Sequence, residues 1–508
     1  MPENIRALVV ILIIASTTFF IATQSGSSLI NRKEATSQRN LWLIIISLAF
    51  ISFNFWVYST LLAISLLFIN KNNTNNVTIF FLLLCIVPTL SFSISGLGII
   101  NYLFDLSHQR ILVLILLLPI FLKLLRTDKL KIGQYGTDKI LLIYILLGIL
   151  LYFRGSTITD TLRYSLYQFI DIILPYFVIS RHLYNLERFR SALLYFLVSI
   201  LIIASIGVFE SFFHWLLYNS LASNWDLSLK FSGYSAQRAG VVRAKASVGT
   251  IPLGYLVAVG LGIYPFISHS IRKKYIRFLG WLVLLIGIIA PLSRGPWVGA
   301  LFIVFIYVVT GKQVIKKLSR FTIFSIISLT LLSSTPIGTK IIDLLPMIGD
   351  TQQENISYRQ QLIENSIQVI KENPIFGSDT YLKTEAMQEM RQGQGIIDIV
   401  NSYIRIALDK GLSGLFLFIL FYLNILRNIH KSLKKIPTEN TELRLLGRSL
   451  FATISGVLVI IFTVSSVSII PWVYWCLAGL GMGYSLMVQN TYSETSEQIS
   501  VSNIEKRP

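Results

Sequence analysis

The sequence predicts an all-α, polytopic transmembrane helix bundle, and three observations carry that reading. The 508-residue chain is 54% hydrophobic and only 14% charged, where soluble proteins carry about 25% charged residues. Apolar stretches of about 15 to 25 residues recur from end to end, close to the roughly 20 residues that a helix needs to cross a bilayer. Lysine and arginine gather in short runs between these stretches, the bias that keeps basic loops in the cytoplasm. The net charge of +19 therefore reads as loop bias and not as a nucleic-acid surface. The alternating pattern of a membrane β-barrel is absent. Cys85 and Cys476 lie inside apolar runs as small core residues and form no CxxC pair.

In order along the chain, the first apolar run, from Ala7 to about Ala22, lacks a convincing cleavage site and stays as a helix. The run from Leu41 to Asn70, broken at Asn54, reads as a hairpin of two short helices. These two or three spans make an N-terminal membrane unit, residues 1–76. About twelve core spans follow, near 78–95, 111–125, 139–153, 164–180, 191–214, 246–268, 278–292, 297–311, 321–336, 401–425, 448–467 and 472–488. Every second loop is basic, as at Arg126–Lys131, Arg181–Arg190 and Lys312–Arg320, which puts the alternate loops outside. The core thus divides into residues 77–336 and 401–488 around a large outer loop, 337–400. A polar tail, 489–508, reads as disordered and cytoplasmic. The outer loop holds nine acids against five bases, a net of −4 in a strongly basic protein. Part of it has helical periodicity: Ile356, Leu362, Ile363, Ile367, Val369 and Ile370 form an apolar stripe. Asn355 or Ser357 is placed to cap that helix, and Pro374 with Gly377 to end it. Arg359 falls inside the stripe, so the helix is expected to press that face on the bundle and carry Arg359 with it.

Arginines that defy the charge bias stand out. Arg243, Arg294 and Arg359 fall on the outer side, where a cation beside a bilayer needs an anionic partner. Arg294 lies in Ser293-Arg294-Gly295-Pro296-Trp297, a turn that requires Gly and Pro but not Arg. Its guanidinium fork can bind phosphate oxygens bidentately, while an arginine and Trp297 could equally be interfacial anchors. Arg243 and Lys245 lead through small residues and Gly249 into a span, leaving room for a bulky ligand. Arg359 is otherwise a solvated first-turn residue. At the loop's re-entry, Asp398-Ile399-Val400-Asn401-Ser402-Tyr403 offers hydrogen bonds and an aromatic face suited to sugars. Asn401 or Ser402 could also simply cap the helix. No His/Asp cluster with metal-ligand spacing is found, and no cofactor is expected.

Taken in order, these four constellations resemble the O-antigen ligase and O-antigen polymerase superfamily of bacterial membrane glycosyltransferases, over roughly residues 200 to 425. The resemblance implies a multi-pass protein of the bacterial inner membrane, with the large loop in the periplasm and the C-terminus in the cytoplasm. It implies a donor saccharide on undecaprenyl diphosphate and an acceptor glycan or glycolipid. A chain-length regulator or a flippase would serve the same pathway. It passes diphosphate binding to Arg243, Arg294 and Arg359, with Lys245, Trp297, Asn401 and Tyr403 as further substrate-binding residues. Family ligases carry a histidine directly before the asparagine that matches Asn401; here the residue is Val400. Asp398 is the nearest group able to take a proton, with His214 as fallback. The departure shifts weight from ligase toward polymerase of O-antigen, capsule or exopolysaccharide units. A polysaccharide or lipid transporter is the competing class, kept open by Asp171 and Glu210 inside apolar spans.

Overall fold

The computed structural model describes residues 1–24, 32–70, 75–96, 98, 101–127, 130, 132–225, 237–238, 241–333, 353–392 and 395–504. The chain is mostly helical. The first helices are α1 (Glu3–Thr23), α2 (Arg32–Ile51), α3 (Phe55–Asn70) and α4 (Asn76–Leu83). After a β-hairpin come α5 (His108–Arg126), α6 (Gly136–Tyr152) and α7, which runs as Ile158–Gln168, a π turn at Phe169–Ile173, and Leu174–His182. Then follow α8 (Leu186–Phe213), α9 (Asn219–Asn224), α10 (Thr250–His269), α11 (Lys274–Ile289), α12 (Arg294–Val309) and α13 (Val314–Ser333). The last are α14 (Gln353–Glu372), α15 (Ser402–Lys435), α16 (Thr441–Thr463) and α17 (Ile470–Ile504).

Among the described residues, six helices are long and apolar enough to span a bilayer: α1, α5, α8, α10, α15 and α16. Others that the sequence reads as spans are shorter, such as α11 and α12 at 16 residues each. The run from Leu41 to Asn70 does divide at Asn54, whose side-chain oxygen accepts the Val57 N–H at 2.9 Å and caps α3. The expected span 78–95 is not one helix. It stops at Leu83, and β1 (Ser91–Ser95) pairs antiparallel with β2 (Tyr102–Ser107). A second, minimal hairpin pairs β3 (Gln237–Arg238) with β4 (Val241–Val242), so the all-α expectation gives way to a helical bundle with two small hairpins. The last helix runs on to Ile504, past Gln489, where the sequence predicts a disordered tail.

The core forms around α10, which is ringed by α8, α11, α12 and α16. Where α12 crosses α16, Gly299 and Gly456 face each other. A Cβ on Gly456 would lie 3.0 Å from the Gly299 carbonyl, so the two backbones approach more closely than side chains would allow. Both α5 and α7 carry a π turn immediately before a Leu-Pro step, at Pro119 and Pro175. The widened turn accommodates a proline that removes an N–H and would crowd a regular helix. Arg110 of α5 binds Asp171, in the π turn of α7, through two contacts of 3.0 and 2.8 Å.

Residues 353–392 and 395–400 form a unit on the bundle, and its Leu362, Val369, Tyr381, Met387, Met390 and Ile399 share a small core with Leu408 of α15. Its attachment is a backbone interlock. α15 breaks at Gly411 (φ 67°), and the freed N–H groups of Leu412 and Ser413 donate to the carbonyls of Pro374 and Ile375 at 2.8 and 3.2 Å. Arg154 reaches over from the end of α6 and donates to Phe376 O at 3.0 Å.

Candidate functional site

The segment Arg243–Gly249 enters the bundle as irregular backbone, and the N–H groups of Ala244, Lys245 and Ala246 are answered. Ala244 donates to Ala290 O, and Lys245 and Ala246 donate to one oxygen of buried Glu210, both at 2.8 Å. Ser247 donates to Cys85 O. This satisfaction is what permits non-helical backbone at such depth. Arg243 then reaches the turn before α12: its Nε donates to Pro291 O and one Nη to Ser293 Oγ, each at 3.1 Å. Burial pulls the Arg243 guanidinium below its ordinary value. Burial also lowers Lys245, with Glu210 acting in the opposite sense and Arg243 adding to the lowering.

Ser293, which receives Arg243, is the residue directly before Arg294 at the start of α12. Arg294 in turn feels Arg359. Partial burial lowers the Arg359 guanidinium most, nearby Asp398 raises it, and nearby Arg294 lowers it further. Asp398 is fixed on both sides: its Oδ1 accepts from Ser465 Oγ at 2.6 Å, and its carbonyl accepts from Tyr358 OH at 3.0 Å. Arg243 thus binds the residue before Arg294, and Arg294 and Asp398 both lie within electrostatic reach of Arg359.

The loop helix is turned relative to its expected face. Leu362, Ser366 and Val369 are buried, while Ile363 and Ile367 remain 42% and 47% exposed. Arg359 is exposed at the rim and is not pressed onto the bundle. The buried stripe includes Ser366 and half-buried Tyr358, which an apolar count passes over. Asn355 and Ser357 both lie inside the described helix, Gln353–Glu372. Pro374–Gly377 does follow its end.

Three residues expected to touch substrate are occupied by the protein itself. The Trp297 indole donates to Ile288 O at 2.6 Å, and the side chain is buried. Asn401 caps α15, its Oδ1 accepting the N–H groups of Tyr403 and Ile404. Tyr403 OH donates to Leu458 O at 2.9 Å. Lys245 is likewise buried, 4% exposed. His214 ends α8 in a left-handed conformation and is exposed; no contact ties it to Asp398 or Arg359. Among the described residues no group of three or more His, Cys, Asp or Glu stands together to hold a metal.

Sequence reasoning passed over the serines between α16 and α17. Ser465 holds Asp398, Ser466 donates to Ser402 Oγ at 2.6 Å, and Ser468 donates to Val248 O. Their signal was available: Ser465, Ser466 and Ser468 interrupt an apolar run beside the outer end of two spans.

No curated protein matches the chain. Residues 253–419 match the family model described as O-antigen ligase. That stretch contains Arg294, Arg359, Asp398, Asn401 and Tyr403, and Arg243 and Lys245 lie just before it. The match over residues 253–419 supports the O-antigen ligase and polymerase superfamily for this multi-pass membrane protein.

Proposed function

We propose that the protein joins glycans at the periplasmic face of the inner membrane, taking its donor from undecaprenyl diphosphate and polymerising O-antigen, capsule or exopolysaccharide repeat units. The observation that carries this reading is Arg243 bonded to the residue before Arg294, with Arg294 and Asp398 both within electrostatic reach of Arg359. In the reaction, an acceptor hydroxyl oxygen attacks C1 of the donor sugar. The bond from C1 to the phosphate oxygen breaks, and undecaprenyl diphosphate leaves with the electron pair. Charge grows on that leaving group, and the guanidiniums, Arg243 held by Pro291 and Ser293, stabilise it. The hydroxyl proton goes to Asp398, whose Oδ1 is already oriented by Ser465. Lipid-linked glycan and acceptor are thus its partners, and the mechanism asks nothing of a metal.

Polymerase is favoured over ligase because Val400 stands where family ligases have histidine. The description of the matching model favours the ligase reading, with a lipid or another glycan as acceptor. Arg294→Lys and Arg359→Lys in the native host separate the two. Short lipid-linked units accumulate if a polymerase is impaired; full-length polymer stays on its carrier lipid if a ligase is. An unchanged glycan profile in both variants overturns both readings.

A further inference from the structure

Glu210 is the one carboxylate of α8 that lies wholly inside the protein, 0% exposed in the helix's last turn. Its two oxygens are taken up by three backbone N–H groups. Oε1 accepts from Leu217 at 3.0 Å, and Oε2 accepts from Lys245 and Ala246 at 2.8 Å each. Two consecutive N–H groups meet at one oxygen, and directly after them the backbone turns at Ala246, which sits in the left-handed region at φ 45°. A carboxylate at the focus of successive N–H groups is what stabilises such a concave turn. The same stretch is tied on its other side, where Ala244 N–H meets Ala290 O and Ser211, next to Glu210, donates to that carbonyl as well.

Arg243 is the next residue out from this anchored run. Its reach to Pro291 O and Ser293 Oγ depends on where the backbone of 244–246 is held. We propose that Glu210 is the positioning residue of the donor site: by seating the 244–246 backbone it aims Arg243 at the turn that carries Arg294, and it acts on substrate only through Arg243. This rests on the donor-site reading above. It also assigns Glu210 a task unlike the proton relay that a transporter would require, since the protein's own N–H groups fill both oxygens.

The test is a double-mutant cycle on the full-length protein in lipid nanodiscs, with binding of undecaprenyl diphosphate as the readout. Glu210→Ala and Arg243→Ala each weaken binding about tenfold or more. The double variant is weaker than the poorer single by no more than about twofold, because Glu210 has nothing left to aim once Arg243 is gone. Additive losses, or full binding in Glu210→Ala while Arg243→Ala binds poorly, overturn the positioning role and leave the donor reading standing. Full binding in Arg243→Ala overturns the donor reading at that residue and the proposal with it. If Glu210→Ala does not fold, Glu210→Gln carries the same cycle. Its amide oxygen can still accept from Lys245 and Ala246 while its NH2 opposes the Leu217 N–H, so its loss is smaller than tenfold and equally non-additive with Arg243→Ala. An additive result there overturns the proposal too.

Discussion

Arg294 and Arg359 are like charges within electrostatic reach of each other, with Asp398 as the nearby carboxylate. A fold gains nothing from such a pairing, and each cation raises the cost of the other. A doubly anionic group between them would remove that cost, and the proposed diphosphate donor would supply one. Lysine in place of Arg359 keeps the charge and loses the fork, so we expect transfer per folded protein to fall about tenfold or more in Arg359→Lys, measured on purified protein with lipid-linked donor. The pH profile adds a second expectation. Partial burial lowers a cation at this position most, Asp398 acts in the opposite sense, and Arg294 adds to the lowering. A lysine there loses its proton as pH rises through a value below its ordinary one. Activity of Arg359→Lys should therefore decline on the alkaline side sooner than that of the native protein, whose arginine stays charged throughout. Tyr403 carries the opposite expectation. Its hydroxyl is engaged with Leu458 O, so Tyr403→Phe should cost about 0.5–1.5 kcal/mol of stability while donor and acceptor KM stay unchanged. A raised acceptor KM with unchanged stability would return the hydroxyl to the substrate.

At the scale of elements, Arg359 depends on how α14 is held, and the holding point lies at the far end of the helix. Gly377 and Gly411 both have positive φ, 62° and 67°. A Cβ on Gly377 would lie 2.5 Å from Leu408 O and 2.6 Å from Gly411 N. A methyl group there needs the two backbones to part, and parting them frees the Pro374 and Ile375 carbonyls from α15. Gly377→Ala and Gly411→Ala should each lower the apparent melting temperature by several degrees. They should also expose the 353–400 unit to limited proteolysis while α10, α12 and α16 stay protected. If melting and proteolysis match the native protein, the interlock is not what seats the loop. The Pro374 and Gly377 signal was legible in the sequence, but its meeting with α15 was not, because it is a contact between segments 38 residues apart. The β1–β2 hairpin is a different kind of miss. Ser91, Ser93 and Ser95 alternate with Phe92 and Ile94, which is strand periodicity, yet the serines are too small to interrupt an otherwise apolar run.

At the scale of the molecule, the choice between enzyme and transporter turned in the sequence on two carboxylates within apolar spans. Apolar runs and loop charge made the membrane class readable, because transfer energies act on composition alone. They left the partners of Asp171 and Glu210 unreadable, because those come from residues 61 and 35 positions away. Both carboxylates are committed to the fold. Asp171 is gripped by Arg110 through two bonds, and that guanidinium also donates to Asp105 O at 2.6 Å and lies 3.7 Å from the centre of the Tyr167 ring. The cluster ties α5, α7 and the β1–β2 hairpin into one wall. Removing one partner leaves the other charge stranded, at a cost of roughly 3–5 kcal/mol for a fully buried pair and less here, since Asp171 keeps some exposure. Asp171→Asn should accordingly lower the apparent melting temperature, and Arg110→Gln combined with it should recover part of the loss. Glycan assembly per folded protein should stay within about twofold of native in both. A proton-coupled carrier behaves differently: Asp171→Asn would melt like the native protein and abolish function, and it would do so without regard to the charge at position 110.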